Sequence, residues 1–241
     1  QWISPLLGEE SLTVVLSHDG DPIASKHYRQ LLSELDEETH PNTSILLQTN
    51  GLLLTPKEWA GMSRIKKLIK AVGVSIDAAT RDTYEDVRRP GKWQTLVENM
   101  EFLSSLKQSG EIPYLYLCFV IQKKTYREMP DFVRLGKSWG VDRIVFGKLM
   151  PQVHPSVDDA AFFEENAVAE PSHPQHKDFL STLSDPILSD PIVDMFNVSS
   201  HREPEAACPG EVELSQGVLE EDRGFFRWAI KNPFSLFARA G

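Results

Sequence analysis

Leu46-Leu47-Gln48-Thr49-Asn50-Gly51 and, after a helical interval, Val72-Gly73-Val74-Ser75-Ile76-Asp77 decide the fold of this chain. Each is a short apolar run that ends in a polar or glycine-bearing cluster. The arrangement recurs on both sides of this pair. Leu12-Thr13-Val14-Val15-Leu16 runs into Asp19-Gly20-Asp21-Pro22, and Leu115–Ile121 runs into Gln122-Lys123-Lys124. Ile144-Val145-Phe146 runs into Gly147-Lys148-Leu149-Met150. Continuous apolar runs with β-branched content fit strands buried on both faces.

The intervals between runs carry apolar residues at helical spacing. They predict helices over 24–35, from Thr55-Pro56 (Thr as N-cap, Pro in the first turn), over 80–87, over 93–107 closed by Gly110, and over 126–139 stopped by Gly140. Strands alternating with such helices build β-α-β units and a parallel sheet. Polar groups gathered at the carboxyl ends of successive strands are where an α/β barrel places a small-molecule site.

Composition narrows the function. The chain has 241 residues, enough for one large domain, with 41% apolar and 25% charged residues. A net charge of −10 argues against a coat for nucleic acid or anionic membrane, and no apolar stretch is long enough to span a bilayer. Two cysteines, Cys118 and Cys208, argue against a disulfide framework and for a reducing cytoplasm. Cys118, inside a run, reads as a small buried hydrophobe. There is no P-loop, no Gly-x-Ser-x-Gly and no dinucleotide fingerprint.

Past Met150 prolines become frequent and the alternation fades. Residues 151–198 read as an extension packed on the barrel through Phe179, Leu180, Leu183 and Ile192. Residues 199–217 read as a surface loop. The aromatic, basic segment at 225–237 reads as a helix docked on the core or, alternatively, as a partner- or membrane-surface helix. His173 and His176, with His154, suggest a metal site only weakly, because Pro174 interrupts any helix that would align them.

Several clusters suit a ligand. Asp19-Gly20-Asp21-Pro22 makes a sharp strand-end turn whose carbonyls and Asp21 carboxylate would suit an ammonium group. Thr49-Asn50-Gly51 reads as a structural turn. Ser75 and Asp77, two apart on a strand, would point to one side and could bind hydroxyls or a carboxylate-bearing ligand. Arg88 and Arg89 offer bidentate capture of a carboxylate or, equally, surface salt bridges.

Taken in order, these motifs resemble the radical S-adenosylmethionine (radical SAM) enzymes, especially the peptide-maturase-like branch. His18-Asp19-Gly20-Asp21-Pro22 is similar to that family's Gly-Gly-Glu-Pro strand end, and Leu46–Gly51 to its strand ending in Thr-Asn-Gly. Ser75-Ile76-Asp77-Ala78 and the following Thr83-Tyr84-Glu85-Asp86-Val87-Arg88 resemble its Ser-Ile-Asp-Gly strand and helix. Glu98-Asn99-Met100, the strand at 119–122, Glu128-Met129 and Gly140-Val141-Asp142 continue the likeness over residues 10–150.

The resemblance implies a partial (β/α)6 radical SAM barrel over 1–150, the extension at 151–198, and a linker with the C-terminal segment at 199–241. It implies an S-adenosylmethionine site in which Gly20, Asp21 and Pro22 shape the methionyl amine end. Ser75 and Arg88 would hold the carboxylate or ribose, Asp77 and Gln122 would be inward-facing helpers, and Leu149 would lie against the adenine. The implied activity is reductive cleavage of S-adenosylmethionine to a 5′-deoxyadenosyl radical that abstracts hydrogen from a peptide, sugar or small metabolite. A flavodoxin or ferredoxin is the implied reductant.

The family's 4Fe-4S cluster rests on a C-x3-C-x2-C loop, and thiolates suit its soft iron. No such loop occurs here. The cluster is therefore expected only in a full-length protein, with this chain a fragment inactive by itself. The alternatives are a degenerate barrel acting as a binding or scaffold domain, and an ordinary α/β-barrel lyase or aldolase.

Overall fold

The structure, a computed structural model, describes residues 12–16, 21–151 and 156–198. Six strands lie side by side in chain order: β1 (Leu12–Leu16), β2 (Thr43–Thr49), β3 (Ile69–Ser75), β4 (Leu115–Ile121), β5 (Arg143–Lys148) and β6 (Val193–Asp194). Every neighbouring pair is parallel. The order never reverses, as in a barrel wall and unlike a doubly wound sheet with its switch point. Among the described residues β1 and β6 each pair on one side alone, so the sheet is open rather than closed.

Five strands arise from the five apolar runs. The sixth, Val193–Asp194, comes from the proline-rich extension and pairs with Ile144 and Val145. Two residues are too few to leave a periodic signal, which is why this strand was not anticipated.

The helices are α1 (Lys26–Glu34), α2 (Pro56–Gly61), α3 (Arg81–Val87), α4 (Trp93–Gln108), α5 (Met129–Ser138), α6 (Val157–Asn166) and α7 (His176–Leu183). Thr55 caps α2 by accepting from Glu58 N, with Pro56 in the first turn. Thr80 caps α3 from just outside it. The interval at 126–139 opens as a 3-10 turn, Tyr126–Glu128, and becomes α-helical at Met129. Pro130, lacking an N–H, fits the first turn that results.

Strand alternation sorts the core into two faces. Val72, Val74, Leu115, Leu117, Phe119, Ile144 and Phe146 pack with helix residues such as Leu96, Met100, Phe132 and Val133. Leu46, Ala71, Tyr116, Cys118 and Val145 belong to a separate cluster that, among the described residues, no helix residue joins. A parallel sheet whose order never reverses puts its helices on one face, and the other face is the inner wall of a barrel. Gln48, Gly73 and Ser75 share the inner parity by the period of two along each strand.

In the extension, Phe179 is fully buried with its ring edge-on to Tyr126, and Leu183 and Ile192 pack against the core. Leu180 is 37% exposed and does not pack as expected. Residues four apart share a helix face, so Phe179 and Leu183 turn inward together and Leu180 is carried outward. Residues 199–217 and 225–237 lie outside the described residues. Among the described residues no helix is long and apolar enough to cross a membrane.

Candidate functional site

The carboxyl ends of β2, β3 and β4 are joined by buried polar side chains. At the end of β2, Asp21 Oδ2 accepts from Thr49 Oγ1 (2.5 Å) and Asn50 N (2.8 Å), and its Oδ1 accepts from Ile23 N (2.9 Å). Both oxygens of this buried carboxylate are thus occupied inside the fold. Asp21 ties the start of the segment before α1 to the β2 turn. Gly51 adopts φ +79°, Asn50 Oδ1 accepts from Leu52 N, and Asn99 on α4 donates to Gly51 O and Leu52 O. The Thr-Asn-Gly turn is a structural one. Pro22 is buried beside Asp21, and Gly20 lies outside the described residues.

β3 ends at Ser75, which differs from the reading of Ser75 and Asp77 on one strand. Asp77 takes φ +65°, a left-handed conformation that ends the strand's alternation. Its side chain replaces the lost ladder: Asp77 Oδ1 accepts from Val120 N of β4 at 2.7 Å. Oδ2 meets Arg88 Nη2 at 2.6 Å. Burial pushes the Asp77 carboxyl above the usual 3.8, while Arg88 and the Val120 amide pull against that rise. Arg88 follows α3 and its side chain is 29% exposed, with Nε buried and lacking a hydrogen-bond partner among the described residues. Arg89 pairs instead with Asp86 at the surface, so the two arginines do not act as one clamp.

Glu128 secures this loop from the α5 side. Its carboxylate accepts from Ala79 N (2.6 Å), Thr80 N (3.1 Å), Thr80 Oγ1 (2.7 Å) and Thr83 Oγ1 (2.5 Å). A carboxylate on the amides just ahead of α3 also faces the positive end of the helix.

The inner face carries a polar network toward the ends of β2 and β3. Gln48 Nε2 donates to Ser75 Oγ at 2.8 Å, and Tyr116 O–H donates to Gln48 Oε1 at 2.8 Å. Cys118 Sγ lies 3.6 Å from Gln48 Nε2. Ser75 is partly exposed at the strand end, whereas Gln48, Tyr116 and Cys118 are buried. Gln48 and Tyr116 were not singled out in the sequence as site residues. The available signal was a glutamine closing the apolar run of β2 and a glycine within β3, a mark of close approach.

The remaining candidates sit further along the same edge. Gln122 follows β4, and its backbone takes part in a turn with Thr125 and Tyr126. Leu149 follows β5 and is half-buried. His173 Nε2 bonds to Glu165 O and His176 Nδ1 to Val168 O, so both histidines tie loops together. His154 lies outside the described residues.

The residues at hand do not fit a three-thiolate iron–sulfur cluster. Cys118 is buried within β4, where burial pushes its thiol up to about 12. Cys208, the second of the two cysteines, lies outside the described residues. Among the described residues no three His, Cys, Asp or Glu side chains are grouped to hold a metal ion. S-adenosylmethionine is a better match, because the unpartnered Arg88 Nε and the Ser75 hydroxyl offer donors to its oxygens.

Comparison with known proteins agrees with this architecture. Residues 6–136 match the family described as the Radical SAM superfamily. Among solved structures, SuiB from Streptococcus suis is 11% identical with a TM-score of 0.51, over 78% of this chain and 40% of that one. A structure of TYW1 with a lysine-pyruvate adduct bound is 17% identical, TM-score 0.46, over 74% of this chain and 50% of that one. Native anSMEcpe with bound AdoMet and Kp18Cys peptide is 17% identical, TM-score 0.43, over 60% and 40%. The chain thus spans half or less of the length of these structures. No curated protein matches the sequence.

Proposed function

The chain belongs to the Radical SAM superfamily, and from that premise we propose that the carboxyl edge of its sheet binds S-adenosylmethionine. The observation that carries the reading is the end of β3. Arg88, which follows α3, is anchored on Asp77, two residues past the partly exposed Ser75 at the end of β3, and its Nε is unpartnered among the described residues. Arg88 would hold the methionyl carboxylate and Ser75 the carboxylate or a ribose oxygen. Asp77 orients Arg88. Gly20, Asp21 and Pro22 would shape the amine end, with Gln122 alongside and Leu149 against the adenine.

In an enzyme of this type, bound S-adenosylmethionine supplies a 5′-deoxyadenosyl radical on reductive cleavage, for hydrogen abstraction from a peptide, sugar or small metabolite. A flavodoxin or ferredoxin would be the reductant, and a reducing cytoplasm suits the free thiol of Cys118. We read 1–150 as the partial barrel, 151–198 as its packed extension and 199–241 as linker and terminal segment. Two cysteines are too few for the cluster, so no electron-transfer step is assigned to side chains of this chain.

That same shortage favours a second reading, a barrel that binds ligand or partner without radical chemistry. Calorimetry with S-adenosylmethionine tests the first claim: wild type binds, and Arg88→Ala binds measurably more weakly. Equal affinity removes Arg88 from the site. Anaerobic reconstitution of the whole gene product separates the two readings, since about four irons per chain support the enzyme and none supports the binding domain.

A further inference from the structure

Gln48, Gly73 and Tyr116 form one row across three neighbouring strands, Gln48 opposite Gly73 and Gly73 opposite Tyr116. A Cβ on Gly73 would stand 2.2 Å from Gln48 Oε1 and 2.3 Å from Tyr116 Cζ. The missing side chain is the passage through which the Tyr116 phenol crosses β3 to reach Gln48 on β2.

This passage fixes a direction of hydrogen bonding. Tyr116 is 5% exposed, and among the described residues its hydroxyl donates to Gln48 Oε1. A buried O–H without an acceptor costs more than an unused lone pair, so Tyr116 must donate and the atom it faces must be the amide oxygen. The amide nitrogen is thereby turned to Ser75 Oγ at 2.8 Å. An amide N–H cannot accept, so the Ser75 proton is left to bond elsewhere than to Gln48. Cys118 does not disturb this polarity, because its thiol stays protonated.

We propose that Tyr116 and Gln48 are positioning residues that keep the Ser75 hydroxyl proton free for the ligand, so that Ser75 donates to one of the ligand's oxygen acceptors. The proposal rests on the S-adenosylmethionine reading above and deepens it. With the Arg88 cation held by Asp77, two residues past Ser75, the oxygen best matched is that of the α-carboxylate.

The test compares S-adenosylmethionine with its decarboxylated form by calorimetry on the 241-residue chain. Tyr116→Phe and Ser75→Ala should each weaken S-adenosylmethionine roughly three- to tenfold, as for one hydrogen bond. Neither should change the decarboxylated ligand by more than about twofold, and the double variant should lose little beyond either single one. Equal loss of both ligands on Tyr116→Phe, or no loss of either, overturns the proposal. A ligand-free NMR measurement separates this outcome from failure of the underlying reading. Nuclear Overhauser contacts from the Gln48 side-chain amide protons should run to Ser75 Hβ and weaken in Tyr116→Phe. Contacts running to the Tyr116 ring instead reverse the polarity and overturn the proposal, whether or not S-adenosylmethionine binds. Absence of any S-adenosylmethionine binding to wild type overturns the carboxylate assignment with the reading it rests on.

Discussion

Asp77 Oδ2 and Arg88 Nη2 stand 2.6 Å apart at the end of β3, while Oδ1 of the same carboxylate accepts from Val120 N on β4. One side chain therefore closes the sheet ladder and holds the cation that the site presents. Arg88→Met should cost about 2–3 kcal/mol at neutral pH, the lower end for a broken buried pair because Arg88 is partly exposed.

The pH dependence follows from the sign of the Asp77 shift. Burial raises its folded value above the ordinary 3.8, so its protonated form is the one that folding favours. That contribution is full below the unfolded value and is lost as pH rises through the raised folded value. Arg88→Met removes the pull downward. The variant should lose more stability than wild type between pH 4 and 7 in urea titrations. A parallel pH profile for the two proteins would contradict the pairing.

Gly73→Ala should destabilise by about 1–3 kcal/mol, since the new methyl would collide with both Gln48 and Tyr116. Gly61→Ala meets nothing within 4 Å and should be neutral or slightly stabilising. Denaturant midpoints of the two variants give the comparison.

How much of this was legible beforehand can be argued from these residues. β1 to β5 were visible because each is a continuous apolar run closed by a polar cluster, and Thr55-Pro56 and Gly110 marked helix ends by known capping chemistry. β6 was not visible, because its pairing is decided by what Ile144 and Val145 leave open at the sheet edge. Ser75, Asp77 and Arg88 could be named, but not the left-handed turn at Asp77 that joins Asp77 to Arg88. The commitment of Asp21 to Thr49 and Asn50 was hidden for the same reason. A sequence shows which groups are present and not which of them are already satisfied.

Glu128→Ala should loosen the start of α3, where the carboxylate holds the Ala79 and Thr80 amides just ahead of the helix and the Thr80 and Thr83 hydroxyls. Hydrogen exchange at Ala79 and Thr80 should accelerate, and stability should fall by about 1–3 kcal/mol. Unchanged exchange at those amides would show that Glu128 does not anchor the connection.

Cys118 should resist alkylation in the folded protein at pH 8, its thiol being buried and held near 12. Mass spectrometry of the Cys118 peptide should show modification only after unfolding. Rapid native labelling would place this thiol within reach of a metal or electrophile.

The central claim, that the end of β3 binds S-adenosylmethionine, is tested most directly by titrating the ligand into isotope-labelled chain and following backbone amide shifts. The account predicts saturable shifts concentrated at Ser75, Asp77 and Arg88, with smaller ones at Asn50 and Leu149. Shifts confined to α6 and α7, or none at millimolar ligand, would contradict it.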